Sequence, residues 1–426
     1  MVDRISKNIV IRFLGGTQEV GRSAIAVKSG ETQILLDYGV MIDHEPGFPM
    51  HIPPREVDAI VLSHAHLDHS GSAPLFHIRS KTPVYGTPIT FEIARILISD
   101  FVKLSGYYLP YEYIDLQNML NCSESQKYRE PFRVGDFEIE LLNAGHIPGS
   151  AQTIVETDKK RLLYTSDFNV VDTRLLNGAD QSYGDVDAII IEGTYANEDH
   201  MERREVEKTF IEKINSVVER GGTVLVPAFS VGRSQEILCV LAAHHFEYPV
   251  SIDGMAEDIN EILMRNPSFL RDPDLFMESV RMADWIKGWK DRRMATRKPG
   301  VIVSPAGMLK GGNAVFYMSK IAGRSENAIY MVSFQIPGTP GHELLTSKRC
   351  IIGGKMSTVK AEIEHFDFTS HCGRAQLLDT LRKAGSDTKI FVMHGAEENC
   401  QELSKSIREE MGLEAFSPTP GEVFQV

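Results

Sequence analysis

Three histidines and one aspartate stand within six residues, at His64, His66, Asp68 and His69. The whole chain has 14 histidines in 426 residues, so chance scattering does not account for this density. Zinc prefers imidazole nitrogen and accepts carboxylate oxygen, and one loop that presents four such groups can divide them between two neighbouring ions. The alternative is a polar surface loop. The spacing favours a metal centre.

Two further residues extend this candidate ligand set. His146 lies in a turn-rich segment that contains Gly145, Pro148 and Gly149, and Asp167 closes a strand-like run. Taken singly, such a histidine is more often structural and such an aspartate is more often a turn former. Together with the first motif they complete a ligand set.

The candidate ligands follow short, β-branched runs that are typical of buried strands. Each run ends in a histidine, an aspartate or a glutamate, and the runs are Gln33–Asp37, Ala59–His64, Leu162–Asp167, Ala188–Glu192 and Lys389–His394. Side chains at strand ends converge where the loops of a layered α/β fold meet. We therefore expect these distant segments to build one site.

The stretch Ala196–Ser347 has its own α/β rhythm and contains none of the candidate metal ligands. Its predicted elements are a helix over Met201–Arg220, a strand over Thr223–Pro227, a helix that begins near Gly232, and strands at Val301–Val303 and Ala328–Val332. We therefore interpret it as a domain inserted into the first one. The predicted division is 1–195 and 348–426 for the first domain and 196–347 for the insertion.

Composition bounds the class of protein. With 42% hydrophobic and 24% charged residues, the chain is typical of a globular protein with two domains. The amino-terminal residues Met1–Phe13 include Asp3, Arg4 and Lys7 and lack the apolar core of a signal peptide, and no run is long enough to span a membrane. Five scattered cysteines without a C-x-x-C pair predict reduced thiols. We expect a cytoplasmic protein that does not bind membranes.

The net charge of −13 does not by itself predict a nucleic-acid partner. If RNA is the substrate, metal ions and a local basic groove must supply the attraction for phosphate. The basic run Lys287–Lys298 is more typical of a solvated face than of a binding site.

Asp37, the His64–His69 motif, His146 and Asp167, in this order, resemble the four signature motifs of the metallo-β-lactamase superfamily. Glu192, His371 and His394 resemble the three further motifs of its β-CASP ribonuclease branch. The resemblance covers essentially the whole chain, including Gly15–Ser23, Ser304–Leu309 and Phe366–Phe368. Within the branch the chain is similar to the shorter archaeal cleavage and polyadenylation specificity factor-like ribonucleases, because no further domain is expected before Met1 and no long tail after Val426.

The resemblance implies a four-layer αββα metallo-β-lactamase fold with an inserted α/β β-CASP domain. It also implies two zinc ions per chain, one held by His64, His66 and His146 and the other by Asp68, His69 and His394, with Asp167 between them. Asp37 would fix the geometry of the ligands, His371 would act as the acid for the leaving oxygen, and Glu192 would orient His371. Asp68 could also act partly as a base on the attacking water. The sequence departs from the usual pattern only beside these residues, at Gly193 and at Thr369-Ser370.

The expected function is a zinc-dependent ribonuclease that hydrolyses phosphodiester bonds of single-stranded RNA. The motifs leave open whether it is an endonuclease, a 5′-to-3′ exonuclease or both, and whether it is a homo-oligomer. Arg233, Ser304 and Lys310 are candidates for contacts with the RNA backbone, although ordinary turn and helix-cap chemistry explains these segments equally well.

Three alternatives remain at this point. A small-molecule metallo-hydrolase such as a lactonase or glyoxalase shares the first four motifs but generally lacks the insertion and the residues Glu192, His371 and His394. A catalytically silent RNA-binding subunit would have lost metal ligands, which are all present here. DNA-directed members of the branch tend to carry valine where His394 stands.

Overall fold

The structure is a computed structural model, and it describes residues 8–42, 45–352 and 354–426. Asp3, Arg4 and Lys7, on which the predicted lack of a signal peptide partly rests, lie outside the described residues. The chain divides into unit 1, which comprises Met1–Asp172, Gly178–Asp199 and His371–Val426, and unit 2, which comprises Thr173–Asn177 and His200–Ser370. Of the helices in the described ranges, none is both long and apolar enough to cross a bilayer.

Unit 1 contains, within the described residues, two seven-stranded sheets. In spatial order, the first sheet consists of Val423–Gln425, Val10–Gly15, Ala24–Ser29, Thr32–Tyr38, Ala59–Val61, Val84–Gly86 and Ser123–Ser125. The second consists of Ala415–Phe416, Lys389–Met393, Ala188–Glu192, Arg161–Tyr164, Ala151–Glu156, Phe137–Asn143 and Phe132–Val134. The sheets pack face to face through one apolar cluster, to which Phe13 and Leu36 contribute from the first sheet and Leu162 and Phe391 from the second.

Helices lie on the outside of this sandwich. The helices of unit 1 are Leu67–Ser70, Pro88–Ser105, Tyr113–Asn121, Arg374–Leu381 and Glu397–Ser406. The strand Ala188–Glu192 is buried along its whole length because Ile190 faces the first sheet, whereas Ile189 and Ile191 pack against helical side chains such as Leu377 and Leu403. Burial on both faces explains why this run is apolar throughout instead of alternating.

Unit 2 is built on a parallel six-stranded sheet. In spatial order its strands are Ala283–Trp285, Val250–Ile252, Gly300–Pro305, Thr223–Ala228, Ala328–Met331 and Glu362–His365, and a hairpin of Arg349–Ile352 and Lys355–Thr358 lies apart from it. Its helices are Arg203–Glu219, Arg233–Ala243, Met255–Arg265, Pro273–Met282, Trp289–Ala295, Gly312–Ile321 and Pro340–Ser347. One apolar cluster covers each face of the sheet, with Phe210 and Leu238 on one side and Tyr317 and Ile321 on the other.

The predicted fold class is confirmed, and the elements predicted from the sequence differ mainly at their ends. The strands expected to reach Asp167 and His394 stop at Tyr164 and Met393. The chain turns there, because Ser166 and His394 adopt left-handed backbone angles, with φ of 51° and 49°. The candidate ligands therefore stand just beyond the strands.

The limits predicted for the insertion, residues 196 and 347, stay a prediction. The two units divide at different places, between Asp199 and His200 and between Ser370 and His371. Unit 2 ends at Ser370, later than residue 347, because the strand Glu362–His365 pairs with Ala328–Met331 and thereby completes the sheet of unit 2.

Candidate metal centre

One group of metal-binding side chains is formed by three imidazoles and a carboxylate. The Nε2 atoms of His64 and His146 each lie 3.2 Å from Nδ1 of His66. Oδ2 of Asp167 lies 3.9 Å from Nε2 of His64 and 3.6 Å from Nε2 of His146. All four ligand atoms are within 4.8 Å of one another, so they can surround a single ion.

A second group shares Asp167 with the first. Oδ2 of Asp68 lies 3.3 Å from Nε2 of His394 and 3.9 Å from Nε2 of His69. The other carboxylate oxygen of Asp167, Oδ1, lies 3.4 Å from Nε2 of His69 and 3.0 Å from Nδ1 of His394. Asp167 therefore presents one oxygen to each group.

The buried polar atoms at this place fit a cation. Nε2 of His69 and Oδ1 of Asp167 are buried and form no hydrogen bond with any residue in the described ranges. A buried polar atom without a partner is costly, and a bound metal ion removes that cost. The imidazole and carboxylate donors suit borderline divalent ions such as zinc, so this cluster is a site for a divalent metal.

Burial and neighbouring charges shift the pKa values of the metal-binding side chains. Burial opposes ionisation of Asp167, but the neighbouring His394 and His69 outweigh it and hold the pKa of this carboxyl well below its usual range. Burial also lowers the pKa values of His64 and His66. For His69 and His394, burial is outweighed by the carboxylates of Asp167 and Asp68, which raise the pKa values of both rings. Metals bind anionic aspartate and neutral imidazole, so these two rings would lose their extra protons when an ion binds.

Asp37 forms a hydrogen bond with His69, one of the candidate metal ligands. It is fully buried, and its Oδ2 accepts a hydrogen bond of 2.8 Å from Nδ1 of His69. The bond leaves Nε2 of His69 as the atom that faces Asp167 and Asp68. Such contacts set the tautomer and orientation of a metal-binding histidine.

Three further residues connect to Asp37 by hydrogen bonds, and the sequence alone did not single them out as functional residues. Ser63 donates its hydroxyl to Oδ2 of Asp37 at 2.7 Å, Tyr164 donates to the same oxygen at 2.8 Å, and Ser166 donates to Oγ of Ser63 at 2.7 Å. The only sequence signal was adjacency, because Ser63 precedes His64, and Tyr164 and Ser166 precede Asp167.

The buried Glu192 and the half-buried His371 form a pair beside the first group. Nδ1 of His371 lies 2.8 Å from Oε2 of Glu192, and the ring of His371 is 4.5 Å from that of His146. Oε1 of Glu192 accepts a further bond of 2.8 Å from the backbone N–H of Phe168. Burial alone would lower the pKa of His371, but the charge of Glu192 and its hydrogen bond outweigh burial and raise this pKa.

Gly193 explains one departure from the usual family pattern. A side chain built at Gly193 would stand 3.1 Å from Cγ1 of Val392 and 3.2 Å from Sγ of Cys400. The backbone of Gly193 is also close to Gly395, whose own Cβ would meet the Gly193 carbonyl at 2.4 Å. These glycines let two chain segments approach closely beside His394.

The three candidate RNA-contact residues all belong to unit 2. Arg233 is buried, and its Nη2 lies 3.5 Å from Oγ of Ser370. The hydroxyl of Ser304 is buried and has no hydrogen-bond partner among the described residues. Lys310 is exposed, in a loop where Ala306 and Leu309 have positive φ.

Comparison with protein families gives the class that this fold and site define. A metallo-β-lactamase superfamily domain matches residues 26–193, a β-CASP domain matches 234–344, and a Zn-dependent metallo-hydrolase RNA specificity domain matches 357–418. The chain belongs to the β-CASP branch of the metallo-β-lactamase superfamily.

Individual relatives match along most of their length. RNase aCSPSF2 of Saccharolobus solfataricus is 42% identical over 419 residues, which cover 97% of this chain and 85% of that protein. The transcription termination factor FttA of Pyrococcus abyssi is 32% identical over 457 residues, covering 97% of this chain and 70% of that protein. A crystal structure of a protein of unknown function from Enterococcus faecalis V583 shares the fold, with a TM-score of 0.62, 13% identity and coverage of 98% of this chain and 100% of that one.

Proposed function

We propose that the protein is a two-zinc ribonuclease that hydrolyses phosphodiester bonds of single-stranded RNA. The chain is a metal-dependent hydrolase that acts on RNA, as the RNA specificity domain and the ribonuclease relatives indicate. The observation that carries the two-zinc proposal is Asp167, whose two oxygens face two separate groups of ligands. A carboxylate shared in this way is the usual bridge of a dinuclear site.

We assign His64, His66 and His146 to one ion, and Asp68, His69 and His394 to the other. When bound, the pair of ions would lower the pKa of a shared water, orient it towards phosphorus and neutralise charge on the phosphoryl oxygens. The protein itself contributes the orientation of the metal-binding side chains. Hydrogen bonds to Asp37 and Ser63 orient His69 and His64 before the substrate arrives.

We assign the protonation of the leaving oxygen to His371. A general acid must carry its proton near neutral pH, and the contact with Glu192 raises the pKa of His371 in that direction. Glu192 is a positioning residue, because it accepts from Nδ1 of His371 and from the amide of Phe168 and so fixes the ring. Asp68 could also act partly as a base on the attacking water.

The remaining assignments concern the residues that contact RNA and the location of the protein in the cell. We propose that Arg233, Ser304 and Lys310 contact the RNA backbone, since Ser304 carries a buried hydroxyl without a partner among the described residues and Lys310 is exposed. A cytoplasmic location is a further part of this proposal.

Digestion of one RNA, labelled either at its 5′ end or internally, tests the function and also defines the cleavage mode. We expect cleavage by the zinc-loaded protein, and we expect none by Asp167→Ala. The matched control is Asp158→Ala, because Asp158 is an exposed aspartate in a turn of unit 1. Mononucleotide release from the labelled end would define an exonuclease, and internal fragments an endonuclease. A loaded wild-type protein that hydrolyses a lactone or thioester but no RNA would contradict the proposal.

A further inference from the structure

A concentrated run of positive charge lies on unit 2, in a chain whose net charge is −13. Between residues 287 and 298 a single acidic residue, Asp291, stands against the basic residues Lys287, Lys290, Arg292, Arg293, Arg297 and Lys298. Trp289 lies within this run, and Trp285, the other tryptophan of the chain, lies two residues before it. Cations interleaved with aromatic rings are typical of surfaces that bind single-stranded nucleic acid.

Trp289 is exposed and yet held in place. Its relative exposure is 62%, which is unusual for the largest apolar side chain. The guanidinium of Arg292 lies 5.1 Å from its ring centre, and the ring of Phe316 meets it edge-on at 5.2 Å. Two neighbours therefore fix the indole while most of its surface faces solvent.

Arg292 is itself anchored by a buried carboxylate. Its Nε lies 2.7 Å from Oδ2 of Asp253 and its Nη2 lies 3.0 Å from Oδ1. Asp253 is fully buried and also accepts hydrogen bonds from Asn313 at 2.9 Å and from Tyr317 at 2.7 Å. Because the cation beneath Trp289 is rigid, the indole is a preorganised platform, and binding to it costs little side-chain entropy.

The other cations near this platform are unneutralised. Lys290, Arg293, Arg297 and Lys298 are exposed, and none of them forms an ion pair with a residue in the described part of the chain. Arg293 follows Trp289 by one helical turn and so lies on the same side of the helix. The surface thus combines an open aromatic face with net positive charge.

We propose that this surface, which we call the Trp289 surface and define by Trp289, Lys290, Arg293 and Phe316, binds single-stranded RNA. A base stacks on the indole, and the flanking phosphates contact Lys290 and Arg293. The inference rests on the proposed function, because that function makes RNA the polyanion the protein meets. An acidic protein segment would satisfy the charges but would leave the flat aromatic face unused.

Tryptophan fluorescence reports on this site directly. In Trp285→Phe, Trp289 is the only remaining tryptophan, and titration with a phosphorothioate oligouridylate should quench its emission as bases stack on it. Trp289→Ala should raise the dissociation constant for the same RNA by about 5- to 150-fold, the range that corresponds to loss of one stacked base. Trp289→Phe should lose less, since a smaller ring still stacks.

Salt dependence separates the charges from the stacking. Replacing both Lys290 and Arg293 by glutamine should reduce the slope of log affinity against log salt by about 1.4, if each contacts one phosphate of a single strand. Tyr107→Ala is the control for aromatic exposure, because Tyr107 is 96% exposed and lies on unit 1. Its affinity and slope should equal those of the wild type.

The outcomes separate this inference from the proposed function. Unquenched Trp289 emission, or wild-type affinity in Trp289→Ala, would overturn the inference while cleavage of RNA by the wild type continued. Stronger quenching by polyglutamate than by the oligouridylate would also overturn it, in favour of an acidic protein partner. If the zinc-loaded wild type cleaves no RNA, the proposed function fails by itself.

Discussion

The buried carboxylate of Asp37 provides a sharp test of how the metal centre is organised. It accepts four hydrogen bonds: Oδ1 accepts from the backbone N–H of Ser63, and Oδ2 accepts from Nδ1 of His69 and from the hydroxyls of Ser63 and Tyr164. Asp37→Asn preserves the shape of the side chain. It removes the charge and replaces one acceptor oxygen by an NH₂ donor.

The cost of this change follows from the geometry. The less costly orientation keeps the oxygen towards His69 and sets the new NH₂ against the Ser63 amide, which cannot rotate away. A buried donor without an acceptor costs about 1–3 kcal/mol, and we expect the metal-free variant to lose that much unfolding free energy. The weaker, uncharged bond to His69 should lower zinc affinity by roughly 10- to 100-fold.

Urea unfolding of the metal-free protein and zinc competition against a chelating dye measure the two effects separately. Asp58→Asn is the matched control, because Asp58 is an exposed carboxylate that accepts one backbone bond of 2.8 Å from Gln33. We expect that variant to bind zinc like the wild type. If Asp37→Asn also binds zinc with wild-type affinity, the proposed role of Asp37 is wrong.

Three further predictions concern His371, Asp68 and the pair of His200 and Asp367. His371→Ala should retain its metal but cleave RNA roughly 10²–10⁴-fold more slowly, and a substrate with sulfur at the scissile 3′ position should restore the rate, because that leaving group needs no proton; equal impairment on both substrates would move the acid elsewhere. Asp68→Ala should lower turnover by orders of magnitude while RNA affinity largely survives, and a parallel loss of affinity would contradict this separation of roles. Burial opposes ionisation of Asp367, but the hydrogen bond from His200 outweighs it and lowers the pKa of this carboxyl, so the pair stabilises the protein above the ordinary carboxyl pKa and loses that effect as the pH falls below it. The stability difference between wild type and Asp367→Asn should therefore stay constant above about pH 5 and shrink as the pH falls below about 4 in urea unfolding, and a difference that stays constant below about pH 4 would count against it.

Much of the metal centre could be predicted from the sequence because its donors follow strands directly. His64, Asp167, Glu192 and His394 each stand at or just beyond the end of a buried run. The last three follow neighbouring strands of the second sheet, and His64 follows a strand of the first sheet, which packs against it. The apolar runs themselves were recognisable as buried strands.

What the sequence did not reveal depends on contacts through space. Tyr164 reaches Asp37 across 127 positions of the chain, and no local pattern marks that hydrogen bond. The sequence alone favours a solvated face for the basic run with Trp289. The buried anchor of Arg292 is not visible there, because Asp253 lies 39 residues away. Pairing partners of this kind appear only in the folded structure.

The most direct test of the central claim measures zinc content and RNA cleavage on the same samples. Metal-free protein is loaded stepwise with zinc, and bound zinc per chain is determined by elemental analysis beside the initial rate of cleavage. We predict that chelation abolishes cleavage and that full activity returns only when about two zinc ions are bound per chain, since the ligand groups around Asp167 exceed what one tetrahedral ion uses. Full activity with one ion bound, or with none, would contradict the two-zinc ribonuclease.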